Sequence, residues 1–496
     1  MKKLKTIKRI ITASLAVIIT LTVFAAAPAS ASQLKSEATY GFISENKDFY
    51  EAHKDAMDHT ASELLNMNPH VDISEYDLSE DEIDTLAVTV LNIHPELFYV
   101  CAMYGLEYSY DFSTGGWVPS AIVFHWGKLI ADEQTGEYTG EEEIYTDEEV
   151  LEMRKTFAEK AQWYLDMVDD SMSDFEKALV LHDALIMNSS YLINEEIYSL
   201  MVNGRGKCYG YSEVYSYLLA QVGISSEIVG SNKMNHQWNK VKIGDNYYHV
   251  DVTWYDPTPD KPGFAYHDYF LLSDSKIESL DNPHYDYTSD YPSTDTSFDN
   301  SYLRNINTQF TCADGKYYAV NNTGSVKALQ IYNMADDTCE NILSFSNTYW
   351  KAGKYSYYSN MFMALDVYDD FLYMNTPDSI LVYDARTGES STFASNNTER
   401  TFYGLRVIDG KLYAALADSP NEQAELSYLA DCIVRQLPKG DVSGDSAVTI
   451  EDITLIQRAL AEFVEFTPEQ LELADFNNDG AITIRDITAM QRFIAV

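Results

Sequence analysis

Apolar residues recur at helical spacing between Asp48 and Met67, through Phe49, Ala52, Ala56, Ala61 and the Leu64-Leu65 pair. That spacing predicts an amphipathic helix. Ser79-Glu80-Asp81-Glu82 has the form of a capping box and predicts the start of a second helix. His94-Pro95 ends it, since proline has no N–H to continue the ladder. Leu97-Phe98-Tyr99-Val100 and Ser120–Trp126 have the composition of strands. A long charged helix follows over Thr146–Met167, and Ser173-Asp174-Phe175-Glu176 caps another that runs to Met187. Residues 196–275 read as helix, strand, turn, strand. From Glu278 to Ser301 the chain is rich in Asp, Ser, Tyr, Pro and Asn without a periodic apolar face, which predicts a linker or surface wrap.

The pattern changes at residue 302. Short alternating segments recur around Asp314-Gly315, Asp369-Asp370 and Asp409-Gly410, each followed by an aromatic-rich strand. Asp-Gly ahead of such a strand is a hairpin signal. Three recurrences predict a three-part β-module, too few units for a closed propeller. Its tyrosines suit either a sugar-binding face or cross-strand packing.

Length and charge narrow the possibilities. The chain has 496 residues, more than one hydrophobic core serves, so several domains are expected. The net charge is -43. That excess disfavours nucleic acid and anionic membrane as partners, which require basic patches. Lys2, Lys3, Lys5, Lys8 and Arg9 precede an uncharged apolar stretch, Ile10–Ala27, and then Ala29-Ser30-Ala31. This reads as a secretory signal cleaved before Ser32, leaving no membrane-associated segment afterwards. The five cysteines, Cys101, Cys208, Cys312, Cys339 and Cys432, are too sparse for a disulfide scaffold. Cys312 and Cys339 could pair, and the odd count leaves at least one thiol unpaired.

Two twelve-residue loops near the C-terminus carry cation chemistry. Asp441, Ser443, Asp445, Thr449 and Asp452 place side-chain oxygens at positions 1, 3, 5, 9 and 12, with the Ala447 carbonyl at position 7. Asp475, Asn477, Asp479, Thr483 and Asp486, with the Ala481 carbonyl, repeat the set. That spacing wraps a hard cation in oxygens, and two Ca2+ ions are expected. Val448 and Ile482 are expected to point inward and pair the loops. Gly480 occupies the tight-turn position of the second loop, whereas Ser446 stands there in the first, which is expected to be the weaker site. The segments beginning Asp452-Ile-Thr and Asp486-Ile-Thr and ending Gln457-Arg458 and Gln491-Arg492 agree at five of seven positions. This duplicated loop-helix pattern resembles the dockerins of cellulosomal enzymes. The resemblance implies attachment to a cohesin module of a scaffoldin through Ile450, Glu451, Gln457, Arg458, Ile484, Arg485, Gln491 and Arg492. Ile450 and Ile484 could instead be core residues.

A second constellation is nucleophilic. Gly204-Arg-Gly-Lys-Cys208 brings a cysteine to the start of a helix whose buried stripe is Tyr211, Val214, Tyr215, Leu218 and Leu219, with Gly223 as its stop. A helix N-terminus favours the thiolate, although a buried inert cysteine is the commoner fate of a free thiol. Asn235–Ile243 and Asn246–Trp254 predict a hairpin around Gly244-Asp245 with Ile243 opposite Asn246. Asp251 then lies opposite Trp238 and diagonal to His236. A carboxylate there could orient an imidazole that serves the thiol. His249 shares the face of Asp251 and is a rival base.

The Gly-x-Gly-x-Cys-x-Gly-Tyr run at 204–211, His236-x-Trp238-Asn239 and Tyr248-His249-Val250-Asp251-x-Thr253-Trp254 resemble the transglutaminase-like superfamily, over roughly residues 85–275. The resemblance implies a papain-like triad of Cys208, His236 and Asp251. The predicted class is multidomain α+β. The predicted order is a signal (1–31), an N-terminal α+β region (32–165), a papain/transglutaminase-like core (166–277), a linker (278–301), a β-rich module (302–437) and a small all-α calcium-binding dockerin (438–496). The expected function is a secreted, extracellular thiol enzyme acting on peptide or amide bonds of a protein or peptide substrate, assembled on a cellulosome-like complex. The alternatives are a cross-linking transglutaminase and a non-catalytic adhesion or polysaccharide-binding component.

Overall fold

The computed structural model describes residues 42–43, 47–113, 115–131, 138–192, 197–255, 261–321, 327–345, 348–351, 357–359, 362–419, 422, 424–445 and 447–495. The predicted signal segment and Ser446 lie outside them. The chain divides into two compact units, one ending at Ala430 and one spanning Asp431–Val496. Among the described residues no helix is long and apolar enough to cross a membrane.

The first unit begins with helices Lys47–Ala52, Lys54–Leu65 and Glu80–Ile93 around a three-stranded sheet. The predicted first helix is thus broken at His53. The expected capping boxes at Ser79 and Ser173 form, and Thr146 makes a third, each with its glutamate three residues on. The expected strand at Leu97–Val100 is corrected. Pro95–Leu97 is a turn of 3-10 helix, and Val100 alone bridges to Trp126. Pro95 at the first helical position, where no N–H is needed, favours that turn. The second expected strand shifts to Gly116–Val123.

The centre of the unit pairs helices Asp174–Met187 and Cys208–Gln221 with a five-stranded sheet. The sheet runs Phe42–Ile43, Ser226–Ser231, His236–Ile243, Asn246–Val250 and Phe270–Leu272, in that spatial order. Tyr211, Val214, Tyr215, Leu218 and Leu219 are all wholly buried on the inner face of the Cys208 helix. Gly223, at φ 84, ends that helix in a conformation that L side chains rarely adopt.

Of the two forms expected for residues 278–301, linker or surface wrap, the structure has the wrap, fastened to the central sheet. The Asp290 N–H donates to Glu227, Tyr291 accepts from the Lys240 ammonium, and Asp299 receives the Ser273 N–H. The polar side chains that hide an apolar period are the ones that make these bonds.

Beyond the wrap lie three antiparallel meanders: Thr311–Ser344 with four strands, Leu365–Ser395 with four, and Thr401–Asp431 with three. Each opens on a hairpin whose two turn residues have positive φ, at Asp314-Gly315, Asp369-Asp370 and Asp409-Gly410. Such turns match the twist of the flanking strands. Phe310, Ala319 and Tyr332 join the same buried cluster as the central helices. Gly404 approaches Pro262 so closely that a Cβ would sit 2.1 Å from its carbonyl oxygen.

The second unit contains helices Ile450–Leu460, Pro468–Ala474 and Ile484–Ile494. Its small core is Val442, Ile453, Ile456, Ala474, Ile487 and Met490, with Val448 and Ile482 half-buried against it. All five cysteines of the chain are free thiols, so Cys312 and Cys339 are unbridged.

Candidate functional site

Cys208 is the first residue of its helix. Lys207 takes the extended N-cap conformation with no side-chain cap. Gly204, at φ 67, brings the preceding loop so near Asn188 that a Cβ would meet its carbonyl oxygen at 2.2 Å. The loop is therefore pinned, and the thiol stands at the positive end of the helix dipole.

The hairpin register is Ile243 opposite Asn246, Lys240 opposite His249 and Asn239 opposite Val250. The Asn239 amide donates to the Ser212 carbonyl at 2.9 Å and ties this hairpin to the first turns of the Cys208 helix. His236 heads the first strand, and its Nε2 donates to Asp251 Oδ2 at 2.6 Å. Its ring lies between Trp238 and Trp254, stacked on both. Burial works against charging this imidazole. The charge and hydrogen bond of Asp251, together with the hydrogen bond and charge of Cys208, more than offset it and raise the pKa to about 9. Asp251 is wholly buried, yet its pKa is depressed because the neighbouring imidazoles outweigh the burial. Its Oδ1 receives the Thr253 and Trp254 backbone N–H groups at 2.9 and 3.2 Å.

A fourth member was missed from sequence. His284, wholly buried in the wrap, donates Nε2 to the same Asp251 Oδ2 at 2.7 Å. Its ring packs edge-on against Trp238 at 4.5 Å and at a tilt against Trp254 at 4.3 Å. The signal available in sequence was a histidine placed next to Pro283 inside a segment otherwise lacking basic character.

The rival His249 is engaged elsewhere. Its Nδ1 accepts from the Trp238 indole at 2.9 Å, and its Nε2 donates to Asp274 at 2.8 Å. One nitrogen accepts and the other donates, so the ring is neutral. Burial, only partly countered by Asp274, pushes its pKa down to about 4. It holds Trp238 beneath His236 and is not a base for the thiol.

In the second unit the two loops fold alike. Asp452 receives the Ser443 and Thr449 N–H groups, and Asp486 receives those of Asn477 and Thr483. Asp441 accepts from Gly444 and Asp445, and Asp475 from Asp479 and Gly480. Asp441, Asp445 and Asp452 bring carboxylate oxygens within 4.8 Å of one another, and Asp441 Oδ2 is buried without a hydrogen-bond partner. An orphaned buried carboxylate oxygen beside two more carboxylates is an arrangement that a divalent cation satisfies. Ile450 and Ile484 are 68% and 69% exposed, so they lie on the surface rather than in the core. Glu451, Gln457, Arg458, Arg485, Gln491 and Arg492 lie on the same two helices and are likewise exposed.

The first unit thus presents a thiol, imidazole and carboxylate on an α+β core, and the second a duplicated aspartate-loop module. Residues 439–495 match the family model of the dockerin type I domain. Type I dockerins bind calcium and dock onto cohesin modules of scaffoldins, the mark of an extracellular, cellulosome-associated protein. No curated protein matches the chain. Among solved structures, the extracellular domain of a candidate one-component system from B. thetaiotaomicron is 13% identical, covering 43% of this chain and 22% of its own, with a TM-score of 0.18. A candidate cysteine protease from Cytophaga hutchinsonii is 12% identical, covering 30% and 61%, with a TM-score of 0.16. The arylamine N-acetyltransferase of Mycobacterium marinum, in complex with CoA, is 13% identical, covering 38% and 64%, with a TM-score of 0.13. The chain spans less than two thirds of each of these proteins, and none superposes well enough to bear on the reaction.

Proposed function

We propose that the chain is an exported thiol enzyme that cleaves or transfers amide bonds and is carried to a cohesin-bearing scaffold by its dockerin. The observation behind this reading is the His236 imidazole, held by buried Asp251 on one side and set against the helix-terminal Cys208 on the other. The Cys208 sulfur attacks the amide carbonyl carbon. The His236 imidazolium gives its proton to the departing amine as the carbon–nitrogen bond breaks, leaving a thioester on Cys208. Water then gives a proton to His236 and its hydroxide to the acyl carbon, and the thiol is released. An amine acceptor in place of water makes the same chain a cross-linker. The backbone N–H of Cys208, at an end where helical N–H groups lack intrahelical partners, suits the developing oxyanion.

Calcium is held, in this reading, by Asp441, Ser443, Asp445, Thr449 and Asp452 with the Ala447 carbonyl, and by Asp475, Asn477, Asp479, Thr483 and Asp486 with the Ala481 carbonyl. Bound there, it supplies folding energy rather than catalysis. The test is mass spectrometry of a protein mixture incubated with wild type and with Cys208→Ala. New chain termini identify a peptidase and new isopeptide links a transglutaminase. No Cys208-dependent change refutes the enzyme reading and leaves a docked binding module.

A further inference from the structure

A second cluster of reactive side chains lies outside that site. Cys101, His125 and Glu142 each offer one ligand atom, and the three atoms lie within 4.8 Å of one another. The three come from different segments. Cys101 follows the Val100–Trp126 bridge, and its N–H donates to the His125 carbonyl at 3.0 Å, so the two residues face each other across that bridge. Glu142 comes from the strand Tyr138–Ile144, and its Oε2 lies 3.0 Å from His125 Nε2. The Cys101 sulfur is buried and receives the Met103 backbone N–H. The His125 and Glu142 side chains are 35% and 23% exposed, which leaves a route in from solvent.

We propose that Cys101, His125 and Glu142 bind one zinc ion, with water in the fourth position, and that the ion fastens the strand Tyr138–Ile144 to the segment after Val100. One sulfur, one imidazole nitrogen and one carboxylate oxygen brought together from three segments suit a tetrahedral borderline-soft cation. Calcium and magnesium prefer all-oxygen shells, so the site does not compete with the aspartate loops for the same ion. Zinc takes the thiolate, so its binding releases the Cys101 proton to solvent and weakens as the pH falls. The other histidine-rich cluster away from the thiol, His182, Asp183 and His267, differs. It is wholly enclosed, and the Asp183 oxygens already accept from His182, His267 and the Phe310 N–H.

Cobalt, a spectroscopic stand-in for zinc, tests the assignment in the full chain saturated with calcium. Cys208→Ala serves as the reference, so that the thiol of the other site contributes nothing. The expected result is a single equivalent of Co2+ with a thiolate-to-cobalt charge-transfer band, displaced by Zn2+ and abolished in Cys101→Ser. Glu142→Gln, a shape-conserving change on a partly exposed strand, keeps the fold and weakens binding at least roughly tenfold. Absence of the band in folded protein overturns the proposal. So does its survival in Cys101→Ser, or an unchanged affinity in Glu142→Gln.

Discussion

Asp251→Asn is the sharpest perturbation of the thiol site. The substitution spares the fold locally, because the amide carbonyl still accepts the Thr253 and Trp254 N–H groups that Oδ1 accepts now. It removes the charge on which His236 and His284 converge at 2.6 and 2.7 Å. It also turns an N–H2 group toward two Nε2–H donors, and His236 relieves that clash only by moving its proton to Nδ1. That tautomer cannot take the Cys208 proton. The pKa of His236, raised from 6.5 to about 9, corresponds to about 3 kcal/mol in favour of the imidazolium. Asp251 is the larger of the two influences that outweigh burial, ahead of Cys208, so its loss lowers the pKa of the variant ring. Loss of charge and tautomer together in the equivalent triad position costs roughly ten thousandfold in turnover. The assay is alkylation of Cys208 by iodoacetamide from about pH 6 to about pH 9, located by peptide mass spectrometry, with the imidazole followed by NMR. Wild type stays reactive across that window, and Asp251→Asn is slowed at least a hundredfold near neutrality. The fold follows the same linkage. The His236 contribution to stability is complete below about pH 6.5 and is lost as the pH rises through about 9, because the folded chain holds the proton longer. Equal alkylation rates with the same pH dependence in both proteins refute the triad.

Four further outcomes follow from the same geometry. His284→Phe keeps a ring against Trp238 and Trp254 but leaves Asp251 Oδ2 to His236 alone, so the His236 midpoint and the alkaline limb of activity rise by about one pH unit; an unmoved profile denies His284 a positioning role. His249, buried neutral at a pKa of about 4 against 6.5 unfolded, contributes stability above about pH 6.5 that is lost as the pH falls, about 3 kcal/mol by full acidification; denaturant melts near pH 7 and pH 5 should show a smaller acid loss in His249→Gln, and an equal loss contradicts the account. Ile450→Asp with Ile484→Asp, both on exposed positions, should abolish capture by type I cohesins while leaving the calcium-dependent circular dichroism unchanged; retained capture moves the interface elsewhere. Truncation after Ser301 should yield an aggregated or thiol-inert protein, because Phe310, Ala319 and Tyr332 complete the central core; a folded, alkylatable fragment shows the β-module to be dispensable.

What could be read from sequence follows the range of the interactions. The capping boxes read at Ser79 and Ser173 depend on residues three apart, and both form. The hairpin register from Ile243–Asn246 follows from a two-residue turn, and it carried the diagonal placement of His236 beside Asp251. The dockerin loops are local repeats, and the family match at 439–495 agrees with them. Long-range choices were not legible. Leu97–Val100 has strand composition but finds one bridge partner, at Trp126, so it stays a turn. The hairpin register favoured His236 over His249, but the partners that engage His249, Asp274 and the Trp238 indole, are joined to it by no local pattern. His284 was hidden because its segment is held by hydrogen bonds from scattered polar groups, and these leave no periodicity to detect.

The wrap changes how the thiol site must be understood. A carboxylate as deeply buried as Asp251 is tolerable only with its oxygens fully engaged. Two of its four donors are backbone N–H groups of the strand's own continuation, one is His236, and the fourth arrives with His284 from the wrap. The wrap is in turn fixed to Lys240 and Glu227 of the central sheet and to Ser273 just beyond its last strand. It leads directly to Arg304, whose guanidinium binds the His267 and Phe298 carbonyls, and to Phe310, whose N–H binds Asp183 on the helix packed beside Cys208. Arg406, in the last meander, reaches back to Met187 and Asn188, next to the loop that pins Gly204. The β-module therefore meets the central core through Arg406, beside the loop that presents the thiol, while the wrap leading into it brings the His284 that satisfies Asp251. A module that only carried a sugar-binding face would need neither connection, so its position is better explained as a buttress for the Cys208–His236–Asp251 geometry.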